Sequence, residues 1–174
     1  MKKNNFRSVQ WWARTAILLA LLLVVQMVGF PQPITGPLVN FILLWTVSYN
    51  HVYSAILIGS ISPWIAYARG ILPAPLGPMI PFIILGNVVM VVAFHFLCSF
   101  KKGNQYDWIF TASGIVLGAF LKFLILSTAV RLFIEVPPPI AQAMSFPQLL
   151  TALGGGALLL VVEPVWKKAF TKRQ

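Results

Sequence analysis

The sequence predicts an all-α integral membrane protein, a compact bundle of six transmembrane helices with both termini in the cytoplasm. Its 174 residues are 59% hydrophobic and only 9% charged, and the mean hydropathy is +0.85. A soluble domain has roughly 25% charged residues, so this chain cannot cover a surface that faces water. We therefore expect residues 1–174 to form a single membrane domain in the lipid bilayer.

Apolar runs, broken by proline, glycine and polar clusters, define the six predicted helices. A spanning helix needs about 20 mostly apolar residues. The second run is short, so we expect it to be tilted, kinked or shielded by its neighbours. It is separated from the third only by Asn50 and His51, which predicts a helical hairpin, although both runs can also be read as one long broken helix. The six runs are Trp12–Phe30, Pro37–Tyr49, Val52–Arg69, Pro78–Phe100, Trp108–Phe133 and Phe146–Trp166.

The positions of lysine and arginine predict the orientation. Basic residues concentrate in cytoplasmic loops, and six spans with both termini inside place ten of the 13 basic residues there. The three that remain are Arg69, Lys122 and Arg131. The predicted outer connections, Pro31–Gly36, Gly70–Gly77 and Ile134–Ser145, are rich in proline. Proline stiffens a loop by fixing φ, so the shaped surface is expected outside.

Lys122, in the stretch "GAFLKFLILS", is the strongest candidate for a binding residue. A charge at membrane depth costs from about 2.5 kcal/mol upward and normally faces protein or a wet cavity. Gly118 and Gly114 lie on the same helix face, and small residues allow another helix to approach closely. Lys122 either snorkels or binds backbone carbonyls, or it anchors an anionic or carbonyl-bearing ligand. We favour the ligand anchor.

Further polar side chains lie in the predicted outer half of the protein. An amide there suits a heterocycle or a carboxamide, but it can equally join two helices, and an arginine at the interface can bind lipid phosphate. The glycine run 154–156 either permits close helix packing or leaves space for a ligand. The further substrate-binding candidates are Asn87, Arg69, Gln32, Thr151 and Gln148.

The acidic residues and the motifs argue against catalysis. Asp107, Glu135 and Glu163 are the only acids, and all fall near helix ends, so no carboxylate relay crosses the bilayer. The chain has no P-loop, zincin or serine-hydrolase motif and a single cysteine, Cys98. We therefore expect no enzyme activity, no cofactor, no metal and no nucleic-acid partner. Glu163 is expected to pair with Lys167.

The whole chain resembles the substrate-binding S component of an energy-coupling factor (ECF) transporter. The sharpest local match is the A-x-x-x-A pattern of the family's first helix, found as Ala16 and Ala20 in "ARTAILLALLL". The stretches "GFPQPITGPLVN" and "GILPAPLGPMIPFIILGN" add to the likeness. The resemblance implies that the alanine face contacts the transmembrane coupling subunit, which two cytoplasmic ATPases drive.

The same resemblance implies high-affinity uptake of a vitamin or related micronutrient across the plasma membrane of a prokaryote. The pocket would lie in the outer halves of the fourth to sixth helices, beneath the first and third outer loops. Asn87 and Thr151 would then fall in the pocket region, Lys122 at its floor, and Gln32 and Arg69 at its lids. Two other classes stay open: a membrane scaffold without a ligand and, less favoured, an intramembrane enzyme. A solitary transporter without ATPases is a variant of the first interpretation.

Overall fold

The structure is a computed structural model that describes residues 8–133 and 138–171. All regular secondary structure in these residues is helical, which confirms the predicted all-α class. A 3₁₀ helix, Ala74–Met79, precedes the fourth α-helix. The α-helices are α1 (Val9–Met27), α2 (Gln32–Tyr49), α3 (Val52–Ala68), α4 (Ile80–Cys98), α5 (Asp107–Leu132), α6 (Pro138–Ala143) and α7 (Phe146–Thr171).

Four stretches of the described chain are long and apolar enough to cross a membrane. They are Val9–Met27, Ala74–Cys98, Asp107–Leu132 and Ala141–Ala169. The helices α2 and α3 have 18 and 17 residues, which corresponds to lengths of about 27 and 25 Å. The structure thus supports four of the six predicted spans by length and composition. The second and third predicted runs correspond to the shorter helices α2 and α3.

The second predicted helix begins earlier than the sequence analysis expected. Residues assigned to the first outer loop, Gln32 to Gly36, form the first turns of α2. Proline is tolerated in the first turn of a helix because its missing N–H has no helical partner there, so Pro33 starts this helix instead of preventing it. The correction moves Gln32 from a loop onto a helix.

The boundary between the second and third runs is a break between two helices, as the hairpin interpretation predicted. The helix α2 ends at Tyr49 and α3 begins at Val52. Between them, His51 caps α3 by accepting a hydrogen bond at Nδ1 from the backbone N–H of Tyr53, at 3.4 Å. The alternative of one long broken helix is wrong.

Five helices close a ring. Contacts run from α2 to α3, α4, α5, α7 and back to α2, and α2 also touches α4 across the ring. The helix α1 lies outside this ring and packs against α2 and α3. The largest part of the core lies between these helices and includes the fully buried side chains of Leu22, Leu43, Ile58, Phe94 and Leu159. The helix α2 therefore connects most of the structure.

Glycines set the distance between the helices of the ring. A Cβ added at Gly118 would lie 2.8 Å from the backbone oxygen of Met90 in α4, so the face of α5 that carries Lys122 packs against protein, as predicted. A Cβ added at Gly155 would lie 2.6 Å from the backbone nitrogen of Phe41 in α2. The glycine run in α7 thus serves close packing, the first of its two interpretations.

The described basic clusters meet at one end of the ring, which we call the basic end. Arg14 of α1 lies over the ring of Tyr49, at 5.4 Å from its centroid. Glu163 of α7 binds Lys167 at 2.7 Å, which confirms the predicted pair, and Lys101 at 3.7 Å. The opposite, proline-rich end holds the connections from Val28 to Pro31 and from Arg69 to Met79.

Two neighbouring glycines of α7 test this packing. We expect Gly155→Ala to lower the midpoint of thermal unfolding in detergent by several degrees, because backbone atoms of α2 must move, at a cost of about 1–3 kcal/mol. Gly154→Ala is the matched control, since its new Cβ meets Pro37 at 3.4 Å, an ordinary contact, and alanine favours a helix. Equal midpoints for the two variants would contradict the close approach of α7 to α2.

Candidate functional site

The ammonium group of Lys122 lies inside the ring and is held by two carboxamides. Its Nζ donates to Asn40 Oδ1 at 2.7 Å and to Asn87 Oδ1 at 2.8 Å. The lysine is only 4% exposed. The three residues come from α5, α2 and α4, so this one group joins three helices of the ring.

Backbone carbonyls fix the orientation of both amides. Asn40 Nδ2 donates to the carbonyl oxygen of Gly36, and Asn87 Nδ2 donates to that of Gly59, each at 3.0 Å. The Gly59 carbonyl is available because the residue four positions later is Pro63, which has no N–H to complete the helical bond. With both amide nitrogens engaged in this way, both amide oxygens face the lysine.

Glycine also makes room for the lysine side chain. A Cβ added at Gly86 of α4 would lie 3.2 Å from Lys122 Cγ, and one added at Gly59 would lie 3.2 Å from Asn87 Cβ. The aliphatic part of the lysine therefore runs close along α4. Such contacts fill the space around the stem, so only the polar end of Lys122 is left to bind a partner.

Lys122, Asn40 and Asn87 line a cavity of about 100 Å³. Its walls come from the last turn of α1, the first half of α2, the second half of α3 with the connection that follows it, the first half of α4, Lys122 of α5 and the start of α7. The cavity therefore lies toward the proline-rich end. Val39, Ile83 and Met144 contribute apolar surface. Six of its lining residues carry amide or ammonium groups: Gln26, Gln32, Asn40, Asn87, Lys122 and Gln148.

Four predicted binding residues, Lys122, Asn87, Gln32 and Gln148, therefore meet at one cavity. The other two lie elsewhere. Thr151 is buried, donates to the backbone oxygen of Gln148 at 3.0 Å and packs against Gly36. Arg69 is exposed at the C-terminal end of α3. A role of either in binding stays a prediction.

The two alanines of the predicted subunit interface lie on α1. Ala16 and Ala20 are exposed, and α1 packs mainly against α2 and α3. The alanine face is therefore uncovered in this structure. Its contact with a coupling subunit stays a prediction.

Sequence reasoning missed Asn40 and Gln26. Asn40 interrupts the apolar run "GPLVNFILLW" and Gln26 the run "LLLVVQMV", so each carries the signal that identified Lys122, a polar side chain among apolar ones. Gln26 is 6% exposed. Its Nε2 donates to Ser62 Oγ at 2.9 Å, whereas its Oε1 is buried without a hydrogen-bond partner. The residues that line the cavity thus include an acceptor without a partner.

No carboxylate of the described residues neutralises Lys122. Asp107 accepts hydrogen bonds from the backbone of Lys102 and Gly103, and Glu163 binds the lysines of the basic end. Asp107 is 15 positions before Lys122 on the same helix, about 22 Å along its axis. Glu135 lies outside the described residues. The described partners of the ammonium are therefore neutral dipoles.

A second buried polar cluster lies toward the basic end and joins helices. Thr15 Oγ1 donates to Ser54 Oγ at 2.9 Å, and Asn50 Nδ2 donates to the same two oxygens at 2.9 and 2.8 Å. This cluster connects α1 to the α2–α3 hairpin. No group of three histidine, cysteine, aspartate or glutamate side chains that could hold a metal ion occurs in residues 8–133 and 138–171.

These features define a class: an all-helical protein with apolar helices of membrane-crossing length and a polar cavity around a buried lysine. No protein-family model, no curated protein and no solved structure matches the chain.

A double-mutant cycle measures the contact between Lys122 and Asn87. We expect Lys122→Met and Asn87→Leu each to destabilise the protein, and their effects to couple by about 1.5–3 kcal/mol, as for a buried hydrogen bond to a charged group. The measurement is reversible unfolding in mixed micelles. Ser127→Ala is the control, since Ser127 Oγ of α5 is buried without a partner, and its coupling to Asn87→Leu should be near zero. Equal coupling in both cycles would contradict the contact.

Proposed function

We propose that this chain is a membrane substrate-binding subunit for the uptake of a vitamin or related micronutrient. The observation that carries the proposal is the Lys122 ammonium on the wall of a cavity, with only Asn40 and Asn87 as partners in the described chain. A lysine that served only to join helices would be expected to lie in a packed core. Instead, amide and ammonium groups from five helices converge on a space that a small molecule can occupy.

The distribution of charge supports an orientation with the cavity directed outward. The described basic clusters lie at one end, and basic residues are retained on the cytoplasmic side of membrane proteins. On this proposal all six long helices cross the bilayer, both termini are cytoplasmic, and the proline-rich end faces the outside of a prokaryotic cell. The shorter α2 is accommodated because it contacts α1, α3, α4 and α7.

The resemblance to ECF S components supplies the energy source of the proposed uptake. An ECF coupling subunit would dock on the exposed alanines of α1, Ala16 and Ala20, where small side chains permit close approach. Two cytoplasmic ATPases would drive the coupling subunit. This chain would bind and release the substrate without catalysing a reaction. The exposed position of both alanines supports this assignment.

Co-purification tests the proposal. We expect a small molecule to be retained by the protein purified in mild detergent, and Lys122→Met to retain at least about tenfold less of it, because one charge-assisted hydrogen bond is lost. Mass spectrometry of the denatured extract gives the identity and the amount. Arg131→Gln is the matched control, since it removes an exposed cation from the same helix.

Two observations together would favour the scaffold interpretation: the protein purifies without any small molecule, and its deletion from the host leaves micronutrient uptake unchanged. Retention by Lys122→Met equal to that of Arg131→Gln would separate Lys122 from the site while leaving a binding function in place. The two results are distinguishable because the first concerns the ligand and the second concerns the lysine.

A further inference from the structure

We propose that the ligand is a compact organic carboxylate with an N–H or O–H donor near its carboxylate group. This inference rests on the proposed binding function and specifies its substrate class. It follows from three properties of the cavity: the unneutralised ammonium of Lys122, the unpartnered amide oxygen of Gln26, and the volume. Each property selects one feature of the ligand.

The ammonium selects an anion. A lysine has three N–H donors, and Asn40 and Asn87 use two of them. Neither amide can rotate to present its nitrogen without losing its bond to the carbonyl of Gly36 or Gly59, so the acceptors around the lysine are fixed. A carboxylate would take the third N–H in a charge-assisted bond. It would also supply the negative charge that is absent from the described surroundings.

The amide of Gln26 selects a donor on the same ligand. Its nitrogen is engaged by Ser62, and its oxygen is buried without a partner in a residue that lines the cavity. A buried acceptor without a partner costs about 1–3 kcal/mol. A ligand N–H or O–H that reaches this oxygen would remove that cost. An inorganic anion such as chloride has no hydrogen-bond donor and would leave Gln26 Oε1 without a partner.

The volume selects a small molecule. A cavity of about 100 Å³ is smaller than an engineered protein cavity of about 150 Å³ that binds benzene, and much smaller than pockets for drug-sized ligands, which span roughly 300–1,000 Å³. The part of the ligand that enters the cavity is therefore no larger than about a single small ring. Large cofactor-like vitamins do not fit inside the cavity.

Three probes of matched size separate these features. Pyrrole-α-carboxylate has both the anion and the N–H donor, furan-α-carboxylate has the anion alone, and pyrrole-α-carboxamide has the ring donor without the charge. Ligand binding to the folded state raises the unfolding midpoint according to its concentration and affinity. Thermal unfolding of the detergent-purified full chain, stripped of co-purified small molecules, is followed with each probe at the same millimolar concentrations. Sodium chloride at equal ionic strength serves as the reference.

We expect pyrrole-α-carboxylate to bind at least about tenfold more tightly than the carboxamide, since the charged hydrogen bond is lost in the latter. We expect furan-α-carboxylate to bind more weakly than the pyrrole acid. Gln26→Leu should abolish the difference between the two acids and preserve that between acid and amide. Lys122→Met should abolish the difference in affinity between the pyrrole acid and its carboxamide, and it should preserve the difference between the two acids. The wild-type comparison alone decides the ligand class if either variant fails to fold.

The results for the inference and for the proposed function are separable. A carboxamide that binds as well as the carboxylate, chloride that stabilises as well as the acids, or a co-purified molecule that is neutral or cationic would overturn the organic carboxylate as the ligand class. Such binding of a small organic molecule would still support the proposed function. A co-purified carboxylic acid would support both. A protein that retains nothing and responds to none of the probes would overturn both.

Discussion

The position of one ammonium group determines how the ring of helices fits together. Lys122 reaches Asn40 and Asn87 on two other helices, and these amides in turn bind carbonyls of α2 and α3. Removing any member of such a network destabilises the protein, because another polar group is then buried without a partner. Glycines at positions 59, 86 and 118 bring the backbones close enough for it to form. Packing and polar chemistry thus depend on each other here.

The choice of neutral partners for this cation has a functional meaning. A carboxylate beside Lys122 would neutralise it and would compete with any anion from outside, whereas carboxamide oxygens hold the ammonium in place and leave its charge available. The two polar clusters illustrate the difference. Around Thr15 and Ser54 the donors and acceptors join α1 to the hairpin. Lys122 instead lines a cavity, and the buried amide oxygen of Gln26, another lining residue, has no hydrogen-bond partner.

The sequence predicts the fold class and part of the site for clear physical reasons. Composition shows that the surface is apolar, and a lysine or an asparagine within an apolar run is conspicuous, so Lys122 and Asn87 are found directly. Their meeting with Asn40 is not predictable, because 82 residues separate it from Lys122 along the chain and only tertiary packing joins them. The prolines before Asn40 suggest a loop but begin a helix. Arg69 and Thr151 lie outside the cavity lining. The sequence does not predict this, because the position of a residue along a helix does not tell which way its side chain faces.

The helix α1 stands apart from the ring, and this has a mechanical consequence. Of the described α1 residues, Gln26 alone lines the cavity, and its amide nitrogen is held by Ser62 of α3. Any partner that pulled α1 sideways would break that bond and unseal one wall of the chamber, while the lysine and its two asparagines stayed in register. Binding of a solute at Lys122 and opening of the cavity along α1 would then depend on different parts of the molecule.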